Sequence, residues 1–318
     1  MNLFFDSLIF LYLIAAVTFA VAVFRDRKIP NKWEYKHPRI TITVVLLLCL
    51  SAVLVFWGAF IEPRLITVRH AQIDLPNFEP SKPVRVALIS DVHVGTYKKG
   101  GWIRRVSERI IAEKPDLVLL AGDLIVSKPE HAKYLSAFSI LHSAFPVYAV
   151  LGDHDYFVRR KPVFSIDEEL AQTVREALTD AGIFVLSNDL AVIQINDAWL
   201  QIIGLDDWQA GKTDFKRPLS RSEDDLPRLA LIHNPDFILD PESKKADLIL
   251  AGNTHGGQIR LPFIGPVPRL PSKLPRAFDE GLFTLGNGTR LFITSGISES
   301  GPRARLFNPP EIVLLELK

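Results

Sequence analysis

Polar side chains of the types that bind metal ions follow five short apolar runs in this 318-residue sequence. In chain order they are Asp91 and His93, Asp123, Asp153 and His154, His233, and Asn253 and His255. Such groups are costly to bury without a partner, and together they form ligand sets for divalent cations. Each one alone is more often a loop residue or a helix N-cap than a ligand. Five such coincidences nevertheless predict a metal site.

The apolar runs are predicted to be β-strands that are buried on both faces, because each has four to six consecutive Val, Ile, Leu or Ala residues. Stretches of helical pattern, residues 102–114 and roughly 131–144, separate the first three runs. Alternating strands and helices predict a largely parallel sheet. Since ligands of such sheets bind beyond the carboxyl ends of the strands, we expect the polar groups to gather at one edge.

Two apolar segments without charged residues, 7–24 and 40–61, precede this region. As helices they would be roughly 27 and 33 Å long, close to the hydrocarbon core of a bilayer at about 30 Å. We predict two transmembrane helices over these segments, within a membrane anchor formed by residues 1–62. The alternatives are a signal peptide for the first segment and a buried core helix for either. The N-terminal MNLFFD lacks Lys and Arg and a second apolar segment follows, which favours a retained helix.

The loop between these segments, residues 25–39, carries six Lys or Arg residues and two acidic residues. The positive-inside rule predicts a cytoplasmic position for such a loop. The rest of the chain would then lie outside the cytoplasm, in a two-pass protein of a cell membrane, which we expect to be bacterial. Residues 63–83 are expected to be a linker, since prolines in FEPSKP interrupt both helix and sheet. Residues 84–318 would form the soluble α/β domain.

The overall composition excludes some other classes of protein. With 37 basic and 36 acidic residues the formal net charge is +1, so no general field attracts nucleic acid, and none is expected as a partner. The single cysteine, Cys49, excludes an intrachain disulfide. Nothing in the sequence indicates the oligomeric state. Asp206 and Asp207 follow another apolar run, in GLDDW, and a position in a solvated loop is favoured over the alternative of a position near the pocket.

The order of the motifs DVH, GD, GDHD, LIHNP and GNTHGGQ resembles that of the calcineurin-like metallophosphoesterases. The resemblance extends over residues 84–318. It includes the segments GGQIRLPFIGPVPRLPSKLPR and RLFNPPEIVLLEL, which are similar to those of membrane-associated or exported bacterial phosphoesterases. It implies the calcineurin-like phosphoesterase fold of the α/β class, with layered β-sheets flanked by helices, here preceded by the two transmembrane helices.

The resemblance also implies two divalent metal ions that share Asp123 as a bridging ligand. The first ion would bind Asp91, His93, Asp123 and His255, and the second would bind Asp123, Asp153, His233 and Asn253. A mixed set of histidines and carboxylates suits Mn²⁺, Fe or Zn²⁺ better than Ca²⁺, and we favour Mn²⁺. His154 would stabilise the phosphoryl transition state or protonate the leaving oxygen. Asp155 would orient the imidazole of His154.

Two positions depart from the family pattern, and both belong to the second ion. Asp153 stands where the family has Asn, and Asn253 stands where it has the first His of G-H-x-H. One change adds a charged oxygen donor, and the other replaces a nitrogen donor with an amide oxygen. Either the two changes compensate, which gives an oxygen-richer site, or they weaken the second metal site.

The sequence therefore predicts a membrane-anchored phosphohydrolase that cleaves a phosphoester or pyrophosphate bond with a metal-activated hydroxide. Its phosphorylated substrate would be lipid-linked or part of the cell envelope, because the helices hold the site near a bilayer. A cytoplasmic pyrophosphatase acting on a nucleotide-linked lipid is an alternative among enzymes. The alternative outside enzymes is a non-catalytic membrane module that senses metal or phosphate and has a degenerate second metal site.

Overall fold

Two long helices open the part of the chain, residues 2–318, that the computed structural model describes. They are α1 (Asn2–Asp26) and α3 (Pro38–Phe56), which pack against each other, with the short helix α2 (Trp33–Lys36) in the loop between them. A π-helical turn, Trp57–Ile61, and a 3₁₀ turn, Glu62–Arg64, continue α3. The apolar segments predicted at 7–24 and 40–61 lie within these elements.

Both helices are long and apolar enough to cross a membrane, with mean hydropathies of 2.5 and 2.8. Only 11% of each apolar window is buried, whereas the core helix of a soluble domain would be mostly buried. A signal sequence at the N-terminus would also match the length and composition of α1. Membrane attachment is therefore consistent with these helices.

The remaining described helices and strands form an α/β domain. The helices are α4 (Gly100–Glu113), α5 (Ser139–His142), α6 (Glu168–Asp180) and α7 (Lys216–Leu219). The strands are β1 (Thr67–Ile73), β2 (Val84–Ile89), β3 (Leu117–Ala121), β4 (Val147–Val150), β5 (Phe184–Val185), β6 (Asp189–Ile195), β7 (Ala198–Gly204), β8 (Arg228–Leu231), β9 (Leu248–Ala251), β10 (Arg260–Leu261), β11 (Gly265–Pro266), β12 (Gly281–Thr284), β13 (Arg290–Ile293) and β14 (Glu311–Leu317). Further 3₁₀ helices cover Pro129–Phe138, Pro235–Leu239, Pro241–Lys245 and His255–Gly257.

Among the described residues these strands form two larger mixed sheets and one short hairpin. The first sheet has the order β1–β14–β2–β3–β4–β5, and its strands are parallel except where β14 meets β2. The second has the order β12–β13–β9–β8–β7–β6, with antiparallel pairs at its two edges and parallel strands between them. The hairpin pairs β10 with β11.

The sheets pack face to face, because their strands are apolar on both faces. In β2, Val86 and Leu88 face a core that also contains Leu229 and Leu250 of the second sheet. The alternate residues of the same strand contribute to a separate core beneath α4 and α6. This double burial explains the continuous apolar runs. It confirms the predicted α/β fold of layered sheets flanked by helices.

Local details differ from the sequence predictions. Residues 63–83, predicted to be a linker, contain strand β1, which pairs in parallel with β14 from Thr67↔Glu311 to Ile73↔Leu317. That pairing joins segments more than 240 residues apart, so the local sequence does not reveal it. Residues 131–144, predicted to be a helix, form mostly the 3₁₀ helix Pro129–Phe138, followed by the single-turn α5.

The end of the second long helix is hydrogen-bonded to the domain. The backbone N–H of Arg305 donates to the carbonyl oxygen of Gly58 at 2.8 Å. A Cβ at Gly58 would lie 3.0 Å from the Arg305 carbonyl oxygen, so the close approach depends on glycine. The buried Glu62 carboxylate accepts hydrogen bonds from Trp57 Nε1 and from the backbone N–H of Asn308.

The beginning of α1 contacts the same region of the domain. Asp6 forms an ion pair with Arg303 at 3.2 Å and accepts a hydrogen bond from the Tyr97 hydroxyl. The guanidinium of Arg303 lies over the rings of Tyr97 and Phe60. The two long helices therefore present adjacent ends to one side of the α/β domain, around the segment 303–308.

Candidate metal centre

The carboxyl ends of parallel strands from both sheets meet at one edge of the layered domain. The loops that follow β2, β3, β4, β8 and β9 carry, in that order, Asp91 and His93, Asp123, Asp153 and His154, His233, and Asn253 and His255. As predicted, the residues that follow the five apolar runs come together. The edge is shared by two sheets, whereas the spacing of the runs alone suggested a single sheet.

Several of these residues have a left-handed backbone, which L-residues seldom adopt. The φ angles are 55° for Asp91, 42° for His93, 55° for Asp123, 68° for Asn253 and 53° for His255. Such conformations cost roughly 1–3 kcal/mol each and persist only where the surrounding structure imposes them. Here each loop turns sharply after a strand buried on both faces. The turn directs the side chain back towards the shared edge.

One group of ligand atoms is formed by Asp91, His93 and His255, which lie within 4.8 Å of one another. The Nε2 atom of His255 is 3.1 Å from Asp91 Oδ1 and 3.2 Å from His93 Nε2. The other ring nitrogen of His255, Nδ1, is 3.1 Å from the carbonyl oxygen of Ser298. We assign the proton to Nδ1, which leaves the Nε2 lone pair directed into the site.

Asp123 lies at the centre of the cluster. Its Oδ2 atom is 3.2 Å from His233 Nε2 and 3.5 Å from His93 Nε2, and its Oδ1 atom accepts the backbone N–H of His154. His233 Nδ1 lies 2.7 Å from the carbonyl oxygen of Ala121, which again leaves Nε2 free for the site. Asp123 is thus shared between a group with Asp91 and His233 and a group with His93 and His154.

Buried atoms without partners indicate that this cluster fits cations. Among the described residues, the buried atoms Asp91 Oδ1 and His233 Nε2 make no hydrogen bond, and each faces another candidate ligand atom, His255 Nε2 and Asp123 Oδ2 respectively. Leaving such atoms unpaired is costly, and a bound divalent ion would satisfy them. Burial lowers the pKa of His233, but the charges of Asp123 and Asp91 outweigh burial and raise that pKa well above its usual value. The carboxylates therefore create a strongly negative potential at the site.

The position of His154 suits a proton donor beside the site. Burial lowers the pKa of its imidazole. The negative charges of Asp123 and Asp153 raise that pKa by more than burial lowers it, so the pKa lies above its usual value. Its ring meets that of His93 edge-on with centroids 4.7 Å apart. His154 Nδ1 faces the hydroxyl of Ser127 at 3.3 Å. Its Nε2 is the ring nitrogen that Ser127 does not contact.

Asp155 is placed differently from the sequence prediction, in which it orients the His154 ring. Its buried carboxylate accepts the backbone N–H groups of Leu124, Ile125 and Gly152 at 2.9–3.2 Å. Those donors belong to the turns after β3 and β4. Asp155 therefore fixes the backbone that carries Asp123 and Asp153, and the contact to the His154 ring comes from Ser127.

The two residues that depart from the family pattern both line a cavity of about 240 Å³, with Asp123 and His255. Asp153 Oδ1 is 3.7 Å from His233 Nε2. The Asn253 side chain donates to the carbonyl oxygen of Pro271, and its Oδ1 atom lies 3.5 Å from Gln209 Nε2. Asp153 is thus beside a candidate ligand, whereas the Asn253 amide is held by neighbouring loops.

Asp206 and Asp207 are both buried, so the prediction of a solvated loop was wrong. Asp206 accepts hydrogen bonds from the Tyr156 hydroxyl and from Arg175. Asp207 Oδ2 has no hydrogen-bond partner among the described residues, and burial together with Asp153 raises the pKa of Asp207 well above its usual value. Asp206 and Asp207 follow the apolar strand β7. They therefore show the same pattern, a polar residue directly after a buried strand, that predicted the other site residues.

Comparisons with known proteins agree with this geometry. The model of the calcineurin-like phosphoesterase family matches residues 84–257. An uncharacterised metallophosphoesterase of Campylobacter jejuni is 31% identical, over 86% of this chain and 68% of that protein. The phosphodiesterase YaeI of Escherichia coli is 32% identical, over 74% of this chain and 82% of its own length. The UDP-2,3-diacylglucosamine pyrophosphatase LpxG of Chlamydia trachomatis is 26% identical, over 87% and 96% of the two chains.

Close packing behind Asp91 leads to a first prediction. A Cβ at Gly252 would lie 2.0 Å from Ser90 Oγ and 2.7 Å from Asp91 Oδ2. We expect Gly252→Ala to displace the Asp91 carboxylate and to lower bound metal, measured by inductively coupled plasma mass spectrometry on the purified protein. Gly286→Ala is the matched control, because a Cβ there meets nothing within 4 Å. Equal metal content in the two variants would contradict the placement of Asp91 in the site.

Proposed function

This chain belongs to the calcineurin-like phosphoesterases, and on that premise we propose that it is a membrane-anchored hydrolase of a phosphoester or pyrophosphate bond. Members of this family are metal-dependent enzymes that use two metal ions. The observation that carries the proposal is the convergence of Asp91, His93, His233 and His255 on Asp123, with buried ligand atoms left unpaired. The central position of Asp123 supports its role as the shared ligand.

We assign the two metal positions as the residues suggest. Asp91, His93 and His255 with Asp123 would hold the first ion, because the first three form one compact group of ligand atoms and His93 also groups with Asp123. His233 and Asp153 with Asp123, and Asn253 after a rotation of its amide, would hold the second. The mixed nitrogen and oxygen donors favour Mn²⁺, Fe or Zn²⁺, with Mn²⁺ as the first choice.

Each catalytic role follows from a position at the site. Two bound ions would neutralise the phosphoryl oxygens and lower the pKa of the attacking water. His154 is the proposed proton donor to the leaving oxygen, because its pKa is raised and Ser127 holds its Nδ1. Asp155 fixes the turns that carry Asp123 and His154 through its three backbone donors. The catalytic set is thus built from the loops after β3 and β4.

Cationic side chains support an anionic substrate. A cavity of about 100 Å³ next to His93 and His154 is lined by Lys98, Tyr97 and Arg303. Burial lowers the pKa of Lys98 to about 8 although Glu299, 2.8 Å away, opposes the shift, so the ammonium is mostly protonated at neutral pH. Phosphate oxygens that enter this cavity would meet both cations, each of which also pairs with a carboxylate, Lys98 with Glu299 and Arg303 with Asp6.

A lipid-linked phosphate is the substrate class that we propose. The ends of both long helices contact Arg303 and the segment that follows it, beside this cavity. The relative LpxG is named for a diacylated sugar nucleotide, which is a phosphorylated lipid. A lipid substrate could present its phosphate to a cavity beside the ends of these helices while its acyl chains stay in the bilayer.

The hydrogen bonds of Asn253 favour a second candidate function. Because the Asn253 amide is held by Pro271 and Gln209, a second ion would have one ligand fewer in this arrangement. A protein with a weakened second site would act as a metal- or phosphate-binding module of the membrane. Metal content and hydrolysis distinguish the two functions.

The proposed function is tested by metal-dependent hydrolysis of bis(4-nitrophenyl) phosphate by the full-length protein in detergent. His154→Ala should lower turnover by roughly 10²–10⁴-fold, as for a lost general acid, with metal content unchanged. Asp123→Asn should lose both metal and activity, because it removes the shared charge. No hydrolysis by the wild-type protein loaded with Mn²⁺ or Zn²⁺ would contradict an enzymatic function. Loss of metal from His154→Ala would show that His154 is a ligand.

The exchanged pair Asp153 and Asn253 generates a further prediction. Asp153→Asn alone should lose the second ion and most activity, whereas Asn253→His alone should be tolerated. The double variant should recover metal well beyond the sum of the single changes, since residues that share a partner couple by about 0.5–3 kcal/mol. The measurements are metal content and hydrolysis across the four proteins, with Mn²⁺ and Zn²⁺ separately. Strictly additive effects would mean that the two side chains do not share an ion.

The charge of loop 25–39 generates a prediction about topology. Alkaline phosphatase fused after Lys318 should be active, because the domain is expected outside the cytoplasm. The control is a fusion that ends after Lys36 in the basic loop, which should be inactive. The reverse pattern of the two fusions would place the domain in the cytoplasm.

A further inference from the structure

The short hairpin of β10 and β11 exposes an apolar tip. Leu261 is 40% exposed, Ile264 is 66% exposed and Phe263 is fully exposed, and Val267 follows at 52%. Soluble surfaces rarely expose several large apolar side chains in one place unless they bind something. The hairpin also begins after residue 257, where the match to the family model ends. The hairpin therefore lies outside the part of the chain that the family model matches.

We propose that this tip inserts into the bilayer that holds α1 and α3 and forms the lip over which a lipid phosphate enters the metal site. The proposal rests on the proposed function, because it names how the substrate of that same site is reached. The occupant of the apolar surface is the acyl region of the membrane. Contiguity with the long helices, charge and the position of the cavity each support it.

Contiguity comes from a segment that lies between the hairpin and α3. Leu306 exchanges backbone hydrogen bonds with the first arm of the hairpin, donating to the Gln258 carbonyl oxygen and accepting from the N–H of Arg260. Its neighbour Arg305 donates to Gly58 at the end of α3. The next residue, Phe307, is itself half exposed. The segment Arg305–Leu306 thus connects the hairpin to the C-terminal end of the second long helix, where that helix would leave the bilayer.

The backbone conformation at the tip of the hairpin also directs the side chain of Phe263 away from the domain. Phe263 has a φ of 67°, a left-handed conformation that is unfavourable for a bulky residue. No residue of the described chain packs against its ring, which is fully exposed. A partner outside the chain would offset this cost, and the acyl chains of a bilayer would bury the ring.

Basic residues follow the apolar tip. Arg269, Lys273 and Arg276 are exposed and line a cavity of about 400 Å³ together with Val267. Cationic side chains next to an inserted apolar tip lie at the level of the headgroups, where anionic lipids attract them. Arg269 also lines the cavity that contains Asp123 and His255. One wall of that cavity is therefore the base of the hairpin, with Gln258 on one arm and Pro268 beyond the other.

The depth of the tip is measured directly with a fluorescent label. In a Cys49→Ala background, which removes the single cysteine, Phe263→Cys carries an NBD label in the full-length protein reconstituted into phosphatidylcholine–phosphatidylglycerol vesicles. Doxyl-labelled lipids should quench this label strongly. The matched control is Phe184→Cys, which is 54% exposed on β5, at the sheet edge opposite β1. It should be quenched little.

Equal weak quenching at both positions would overturn the proposal. Self-quenching at position 263 that grows with protein density, without quenching by lipid, would assign the tip to a second copy of the chain instead. Both measurements are independent of catalysis, so they separate this inference from the proposed function. The tip makes few packing contacts, and the labelled protein is expected to fold.

A kinetic comparison then tests access to the site. Phe263→Asp should lower hydrolysis of hexadecyl 4-nitrophenyl phosphate embedded in the same vesicles by about tenfold or more, because the charged tip leaves the bilayer. Hydrolysis of the water-soluble bis(4-nitrophenyl) phosphate should be unchanged, as should both rates in Phe184→Asp. An equal loss on both substrates would show a structural effect and contradict the lip. Inactivity of the wild-type protein on the soluble substrate would instead contradict the proposed function.

Discussion

Negative charge buried at the ends of strands is the constraint on which the rest of the domain depends. Asp91 and Asp123 are buried, and with Asp153 they place three carboxylates at one edge. Burial of unpaired charge is among the costliest features of a fold, so such an edge is stable only with cations or protonated histidines beside it. The strands beneath are apolar on both faces and rigidly packed. That rigidity holds the left-handed turns in place, because a flexible loop would relax them.

The long N-terminal helices and the candidate metal ligands are connected by a short series of hydrogen bonds. Glu62, after α3, accepts from the backbone of Asn308, and the Asn308 side chain donates to the carbonyl oxygen of His255. The buried Arg305 donates to the carbonyl oxygen of Ser298. The same oxygen accepts a hydrogen bond from His255 Nδ1. The segment that anchors the helix to the domain therefore also positions a candidate ligand. Helices joined to the domain by a flexible tether would not have this property.

The sequence predicts the strand ends and their polar residues well, because both signals are local. An apolar run and the residue after it are neighbours in the chain, so β2, β3, β4, β8 and β9 were located before their pairing was known. The strand β1 was missed because its partner β14 lies at the other end of the chain. Asp155 accepts hydrogen bonds from the backbone N–H groups of Leu124 and Ile125, in addition to raising the pKa of His154 through its charge. Contacts of that kind depend on tertiary structure and leave no local pattern.

Asp207 changes the interpretation of the exchange between Asp153 and Asn253. The sequence suggests that Asp153 adds one negative charge to the second site, whereas the structure puts the buried carboxylate of Asp207 near enough for Asp153 to raise its pKa. Two carboxylates in one buried region repel each other, and one of them must take a proton unless a cation lies between or beside them. A site emptied of metal gains nothing from this accumulation of negative charge. A cation or a shared proton would each relieve this repulsion, and either would also satisfy the unpaired Oδ2 atom of Asp207.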